Sequence, residues 1–467
     1  MAPKLAPGSP EWWVERLSSD LDAQARQAIR YELYYDGEQP LPLALSTEQY
    51  RREFRDLIAE VRDNWMPLVV DAKAQRLNPV GFRFGEVDAD EDANAMWQRN
   101  YLDADSKMAH TTALTTGRCP IMVWADKDGE PEITVEHPAH MVVAYAAGGS
   151  RRKREAALKR WVDDWSGDTH YNLYLRDGIY KFARSSKGVR RPLTTRAEMV
   201  PNPLGVVPVV ELRHRLRHRD GLCRSALKEV TSTQDQLNKT LIDMLVAAEF
   251  QAFRQRWATG VEPSRDPVTG EPIDPFPTKI DRTWTVPAAD AKFGEFGQID
   301  LGVFTGLREH LVQSLASRTA TPPHYLISGQ TLPNAESVKA AETGLIASVR
   351  DAMVPFGETW EEVARLGFAV KSDPRRDEWN AQVIWADPET RSEAEHIDAV
   401  LKKRALDVPI YQLWSDAGYT PEQIERFEQM LLNEAMARAN GALPASVDEQ
   451  MSQQVTDRAA ALGVSLS

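Results

Sequence analysis

The chain has 467 residues, 42% of them hydrophobic and 27% charged, with a formal net charge of −13. These proportions describe a folded protein whose length allows roughly two to four structural units, not a disordered chain. No run of about 18 or more apolar residues is present, which excludes a helical membrane span, and the acidic balance argues against a protein that grips DNA through a basic face.

The first ten residues lack the apolar core of a secretion signal. Cys119 and Cys223 form neither a disulfide framework nor a metal-ligand spacing, so two buried thiols in a reducing cytosol are expected. From Trp12 to about Tyr35, apolar residues recur at helical intervals through Trp13, Leu17, Leu21 and Ala28, and Gly37 with Pro40 and Pro42 ends the pattern. Ser46 with Gln49 forms a capping box for a second helix through Phe54, Ile58, Val61 and Trp65, with a kink or break expected at Pro67. Val80–Phe84 alternates like a strand. One helix is expected over Ala89–Thr116, closed by Gly117.

Between Pro120 and about Val210 the texture changes. Ile121–Trp124, Ile133–Val135, Met141–Val143, Ala157–Val162, Tyr171–Leu175 and Ile179–Phe182 are short and β-prone, separated by turns such as Lys127-Asp-Gly129 and Arg176-Asp-Gly178. Helical spacing returns over Ala226–Phe253, with Leu227, Val230, Leu237, Leu241, Leu245 and Ala248 on or near one stripe, for a length of about 40 Å. Gly260–Gly297 is rich in proline and glycine and reads as a compact irregular unit. Leu301–Ser317 is helical, and Pro322-Pro323 forces the chain out of helical geometry. A long helix follows from Asn334 to about Val370, some 50 Å in length, capped by Asn334 or Ser337 and kinked at Pro355. The tail from Asp377 is acidic, with helical patterns at 394–406, 421–440 and 447–462.

The search for chemistry is largely negative. No phosphate-cradling Gly-rich loop, dinucleotide fingerprint, His-Glu-x-x-His or nucleophile elbow occurs. His137 and His140 have a spacing seen in metal sites but lack a Cys or clear carboxylate set, so strand-end histidines bonded to backbone are the simpler reading. His214 and His218 sit among four arginines, which disfavours a cation; that run reads as a polar surface or a subunit contact. Asp163-Asp164 lacks the further acids a two-metal nuclease needs. Arg151–Arg154 reads as an exposed loop, either touching phosphate or merely solvated. Most of the thirteen tryptophans are expected as core or subunit-interface anchors.

The order of parts carries a resemblance. Helices, a β-rich insert, a helix, an irregular insert, a helix, a Pro-Pro loop, a long helix with a proline and an acidic tail together resemble the portal protein of long-tailed double-stranded-DNA phages. Local motifs are similar to those of the actinobacterial phage members: Tyr34-Tyr-Asp-Gly37, Asn64–Leu77, Gly81-Phe-Arg83, Asn202–Val210, Gln234–Thr240, Arg256–Gly260 and Ala316–Leu345. They run from the first helix to about residue 430. The resemblance implies a mainly helical α+β portal fold, with a wing at 1–225, a first stem helix at 226–253 and a clip at 254–300. It further implies a second stem helix at 301–318, a tunnel loop at 319–334, a long wing helix at 335–376 and C-terminal wing and crown helices at 377–467. Subunits of that family form a ring, usually of twelve, at one capsid vertex of the virion, assembled in the host cytoplasm.

Double-stranded DNA enters through the ring during packaging and leaves through it on infection. The implied partners are other copies of the chain, that DNA, the terminase large subunit, a head–tail adaptor, the major capsid protein and, as a further candidate, a scaffolding protein. No membrane, cofactor, metal or catalytic residue is implied. Thr321, His324, Tyr325, Ser328, Gln330, Thr331 and Asn334 are the residues offered to DNA; apart from a histidine that can titrate they are neutral and polar, suited to guiding more than gripping. The rival readings are another head–tail connector or minor capsid protein, and a DNA-packaging enzyme, for which no nucleotide-binding loop is found.

Overall fold

The computed structural model describes residues 5–40, 62–85, 90–146, 153–187, 193–196, 198–219, 221–252, 256–260, 301–326, 335–389, 402–404, 408–417 and 421–439, with isolated positions 290, 292–295, 297, 300 and 419. The capping box at Ser46 and Gln49, the helix through Phe54, Ile58 and Val61, and most of 254–300 lie outside those residues. So do positions 327–334, nearly all of the pattern at 394–406, and 447–462.

Helix α1 (Pro10–Tyr35) starts where Ser9 Oγ accepts from Trp12 N at 3.2 Å and Pro10 occupies the first turn. Its buried residues Val14, Leu17, Leu21, Ala28, Tyr31 and Tyr34 follow helical spacing. The N-terminal half packs on an antiparallel sheet of β4 (Met141–Tyr145), β5 (Arg154–Val162), β6 (Thr169–Tyr174), β7 (Gly178–Arg184) and β8 (Leu193–Thr195), in that order, with β9 (Val200–Pro201) also paired to β7. The C-terminal half enters the main core.

That core gathers α2 (Met66–Ala74), α3 (Glu91–Arg99) and α4 (Leu102–Thr116) with the sheet β10-β2-β3, formed by Val209–Arg213, Arg118–Ala125 and Pro131–Val135. β1 (Pro79–Arg83) pairs antiparallel with β13 (Gln382–Trp385). α5 (Thr231–Ala252) packs along α6 (Gly302–Thr319), and β11 (Arg256–Thr259) pairs with β12 (Lys292–Glu295). A short helix α7 (Pro323–Leu326) precedes α8 (Ala335–Val370), which runs through the core on Leu345, Val349, Ala352, Met353, Phe356, Trp360, Val363 and Ala364. A 3-10 turn (Pro374–Asp377) follows α8, and α9 (Ile410–Asp416) and α10 (Pro421–Ala439) complete the described elements.

Several expectations need correction or sharpening. Pro67 lies in the first turn of α2, where its missing N–H is harmless; residues 62–65 before it are not helical, so the expected break falls just ahead of Met66. The single helix expected over 89–116 is two, divided at Tyr101, which is left-handed at φ 54°. Asn100 makes the break: its Nδ2 donates to Met96 O and Pro131 O, and its Oδ1 accepts from Ile133 N. Residues 226–230 are turns, so α5 starts five residues later than the pattern suggested. Ser337 lies inside the first turn of α8, not at its cap, and Asn334 is outside the described residues. α8 continues unbroken through Pro355. Arg154 is no loop residue: it opens β5, pairs with Glu362 and donates Nε to Val207 O at 3.1 Å.

Candidate functional site

The turn between α6 and α8 is built from its first residue to leave the helix. Ala320 caps α6 in left-handed geometry, φ 55°, and its N–H bonds Ala316 O. Thr321 N also reaches Ala316 O, at 3.1 Å. Pro322 keeps Thr321 out of helical geometry, and Pro323 then opens α7. Thr319 Oγ1 donates to Leu315 O at 2.8 Å; with that proton committed, the Thr321 hydroxyl donates to the Thr319 oxygen, also 2.8 Å away. Thr321 is only 2% exposed. The hydroxyl of Thr321, a residue expected to face DNA, is bonded to its own chain.

Tyr325 is also engaged inward. Its hydroxyl donates to Glu342 Oε1 on α8 at 2.7 Å and accepts from Arg76 Nη2, just beyond α2, at 2.9 Å. Arg76 also donates to Ala72 O at 3.0 Å and stands 3.6 Å from Glu342, the two side chains 13% and 9% exposed. Burial first, and the Glu342 bond second, raise the Tyr325 pKa above its usual value, so the phenol keeps its proton and donates. Leu326 completes the anchorage in the main core. His324 is half-buried, its ring edge-on to Tyr325 at 4.7 Å, and its Nδ1 is buried without a hydrogen-bond partner. Ser328, Gln330, Thr331 and Asn334 lie outside the described residues.

A second fastening explains the motif Gln234–Thr240. Asn238 Oδ1 accepts from Asp63 N and Gln234 Oε1 from Trp65 N, both at 3.1 Å, while Gln234 Nε2 donates to Asp63 O. Tyr34 OH bonds Asp235 at 2.9 Å, and Arg308 of α6 reaches Asp63 Oδ2 at 2.8 Å. Two buried amides on α5 thus satisfy backbone groups at the start of α2, tying the helix pair to the main core. Polar residues four apart within an apolar stripe were the available sequence signal for this role.

The other candidate groups are structural. His137 Nε2 pairs with Glu32, and Nδ1 accepts from Ala139 N at 3.1 Å. His214 directly follows a strand, not a helix, and its Nδ1 donates to Arg224 O at 2.7 Å. Asp163 lies in the β5–β6 turn, 3.6 Å from His170. Cys119 and Cys223 are both buried, and burial pushes both thiols up, Cys223 to about 11. Among the described residues no group of three or more His, Cys, Asp or Glu could hold a metal, and no helix is long and apolar enough to cross a membrane. Trp97 and Trp360 lie in the core, whereas Trp165 is 98% exposed.

The parts described form a mixed helix-and-strand scaffold. Its class is that of a phage portal protein: the family model described as "Phage portal protein, SPP1 Gp6-like" matches residues 15–418. The chain belongs to this family. It is 29% identical to the portal protein of Mycobacterium phage L5 over 458 residues, 93% of this chain and 90% of that protein. It is 30% identical to the portal protein of Mycobacterium phage D29 over 422 residues, 85% and 83% of the two chains. Among solved structures, a chain from the neck of an empty GTA particle covers 76% of this chain and 89% of its own length at 10% identity. Its TM-score of 0.44 is too low to carry fold or role.

Proposed function

We propose that twelve copies of this chain close into a ring at one capsid vertex, forming the channel through which the double-stranded genome is packaged and ejected. The observation carrying this reading is the family match across residues 15–418, which also favours a portal over another connector or a minor capsid protein. One heterologous contact repeated around an axis gives a closed collar of fixed copy number. In support, the first half of α6 leaves Val303 67% and Leu307 47% exposed in the single chain, apolar surface suited to burial between copies.

Within this reading residues 1–225 form the wing, α5 and α6 the stem, 254–300 the clip, and 377–467 the C-terminal wing and crown. The clip meets the terminase large subunit during packaging and a head–tail adaptor afterwards; the wing meets the major capsid protein, and a scaffolding protein during assembly. The DNA-facing share of the tunnel loop falls to His324, Ser328, Gln330, Thr331 and Asn334, while Thr321 and Tyr325 hold its root. The chain acts as a conduit, without turnover of its own.

Electron microscopy of the purified full chain, beside an assay for ATP and DNA hydrolysis, tests this. Rings with a central hole and no turnover are expected. A monomer at every concentration and within the virion, or hydrolysis by the protein alone, overturns the proposal.

A further inference from the structure

The run Arg213–Arg219 places four arginines in seven residues of a chain with net charge −13. Arg213 ends β10 and lies over the Tyr145 ring at 4.7 Å. Arg215 is left-handed at φ 46°, and a tight turn follows in which Arg217 N bonds Leu222 O at 3.1 Å and Gly221 N bonds Arg217 O at 2.9 Å. The turn presents Arg215, Arg217, His218 and Arg219 to solvent, with Leu222 also exposed. Among the described residues, none of these three arginines has a carboxylate partner or a side-chain hydrogen bond. Asp220, next in sequence, lies outside the described residues.

A second observation points the same way. Lys73, in the last turn of α2, is only 2% exposed, and its ammonium makes no hydrogen bond or ion pair among the described residues. Burial, and then repulsion by Arg215, push its pKa down to about 8. His214 beside it is pushed down to about 4, chiefly by burial, with Arg215 and Lys73 adding to the shift. The charges acting on this corner are therefore positive, and an uncompensated set of cations is unfavourable until an anion meets it. By contrast, Arg76, Arg118, Arg154, Arg308 and Arg375 all face carboxylates.

We infer that the turn at Arg215, Arg217 and Arg219, with Lys73 close by, docks on an acidic face of a second copy of this chain. The inference rests on the proposed ring and gives one of its contacts a chemistry. Copies of a chain at −13 repel one another, and closure of a ring requires one surface to meet a different surface of the next copy. Unpaired acid is available on the described surface. Asp36 and Glu38 follow the C-terminus of α1, where the helix dipole is itself negative, and the Asp36 pKa is raised by burial and then by Glu38 and Glu32. A cationic turn repeated around a ring and seated on such acid offsets the repulsion at each interface. DNA phosphate is the other anion in the system, but strong phosphate contacts would slow a sliding duplex.

Mass photometry of the full chain across concentration, wild type against R215E/R217E/R219E, tests the inference, with thermal melting as a check on folding. The reversal is expected to raise the concentration for half-assembly roughly tenfold or more, and wild-type assembly should weaken as salt is added. If the triple variant misfolds, R217E/R219E at the exposed tip is measured instead, with the same expectation in direction. A folded variant that assembles at the wild-type concentration overturns the contact and leaves the ring standing. The same holds for a variant that keeps the ring but loses binding to a DNA duplex, which assigns the turn to phosphate. A wild type that never assembles overturns the ring itself, and this contact with it.

Discussion

Replacing Tyr325 by Phe removes one oxygen and keeps the ring that packs beside His324. That oxygen accepts from Arg76 Nη2 at 2.9 Å and donates to Glu342 Oε1 at 2.7 Å. Hydrogen bonds to charged groups contribute about 1.5–3 kcal/mol each. Arg76 and Glu342 remain 3.6 Å apart and nearly buried, so direct pairing recovers part of the loss, and the expected net cost is about 2 kcal/mol. Urea unfolding should show a lower midpoint with an unchanged slope. Tyr325→Phe combined with Glu342→Gln should cost less than the sum of the single changes, by about 1 kcal/mol, because both act on one network. Since Tyr325 lies at the root of the turn, DNA packaging should fall more than ring assembly in particles carrying the variant. A Tyr325→Phe protein within about 0.5 kcal/mol of wild type, or a strictly additive cycle, would refute the anchorage.

Gly117 closes α4 at φ 100°, and a Cβ there would lie 3.1 Å from the Arg224 carbonyl carbon and 3.2 Å from Ser225 N; Gly117→Ala should lower stability by roughly 2 kcal/mol in the same assay. Arg375 meets Asp90 at 2.8 Å, Asp92 at 2.6 Å and Asp373 at 2.7 Å while lying over Phe368, so Arg375→Ala should cost about 3 kcal/mol, read as a fall in midpoint. Burial holds His110 near 3 and His214 near 4, both below an unfolded value of 6.5. Above that value neither affects stability; as pH falls through it the unfolded chain binds protons the folded one refuses, so each histidine should remove about 2 kcal/mol by about pH 5. Equal stability at about pH 7 and pH 5 would contradict both burials.

The strands of the β-rich insert were legible because alternation and Lys-Asp-Gly or Arg-Asp-Gly turns are local signals. The long helix α8 was legible as well, following Pro322-Pro323 and ending at Val370. β13 was not, because its four residues pair with β1 some three hundred positions away, and no nearby turn announces a partner that distant. The break at Tyr101 involves neither glycine nor proline; it depends on bonds from Asn100 to β3, which a local reading cannot supply. In the candidate site, Pro322-Pro323 marked the exit from α6 correctly. The internal bonds of Thr321 and Tyr325 were not legible, since a polar side chain beside a turn is equally suited to water and to an internal partner. Their partners decide the matter, and Arg76 stands 249 positions from Tyr325.

Most strong cationic contacts in this chain join elements distant in sequence. Arg76 links the end of α2 to α7 and α8, Arg118 bonds Glu211 across adjacent strands, Arg308 ties α6 to Asp63, and Arg375 fastens the 3-10 turn to α3. Partly buried charge pairs with added hydrogen bonds hold geometry far better than exposed pairs, whose median contribution is about 0–1 kcal/mol. For the proposed collar around a sliding duplex such internal fastening matters. The turn after α6 is held at Tyr325 by Arg76 and Glu342 of its own chain, and the residues proposed to face DNA are a histidine and neutral groups, which release no bound counterions on contact. Under that proposal, holding the loop in place and resisting the polymer are separate matters, because Arg76, the cation at the root, is nearly buried against Tyr325 and Glu342.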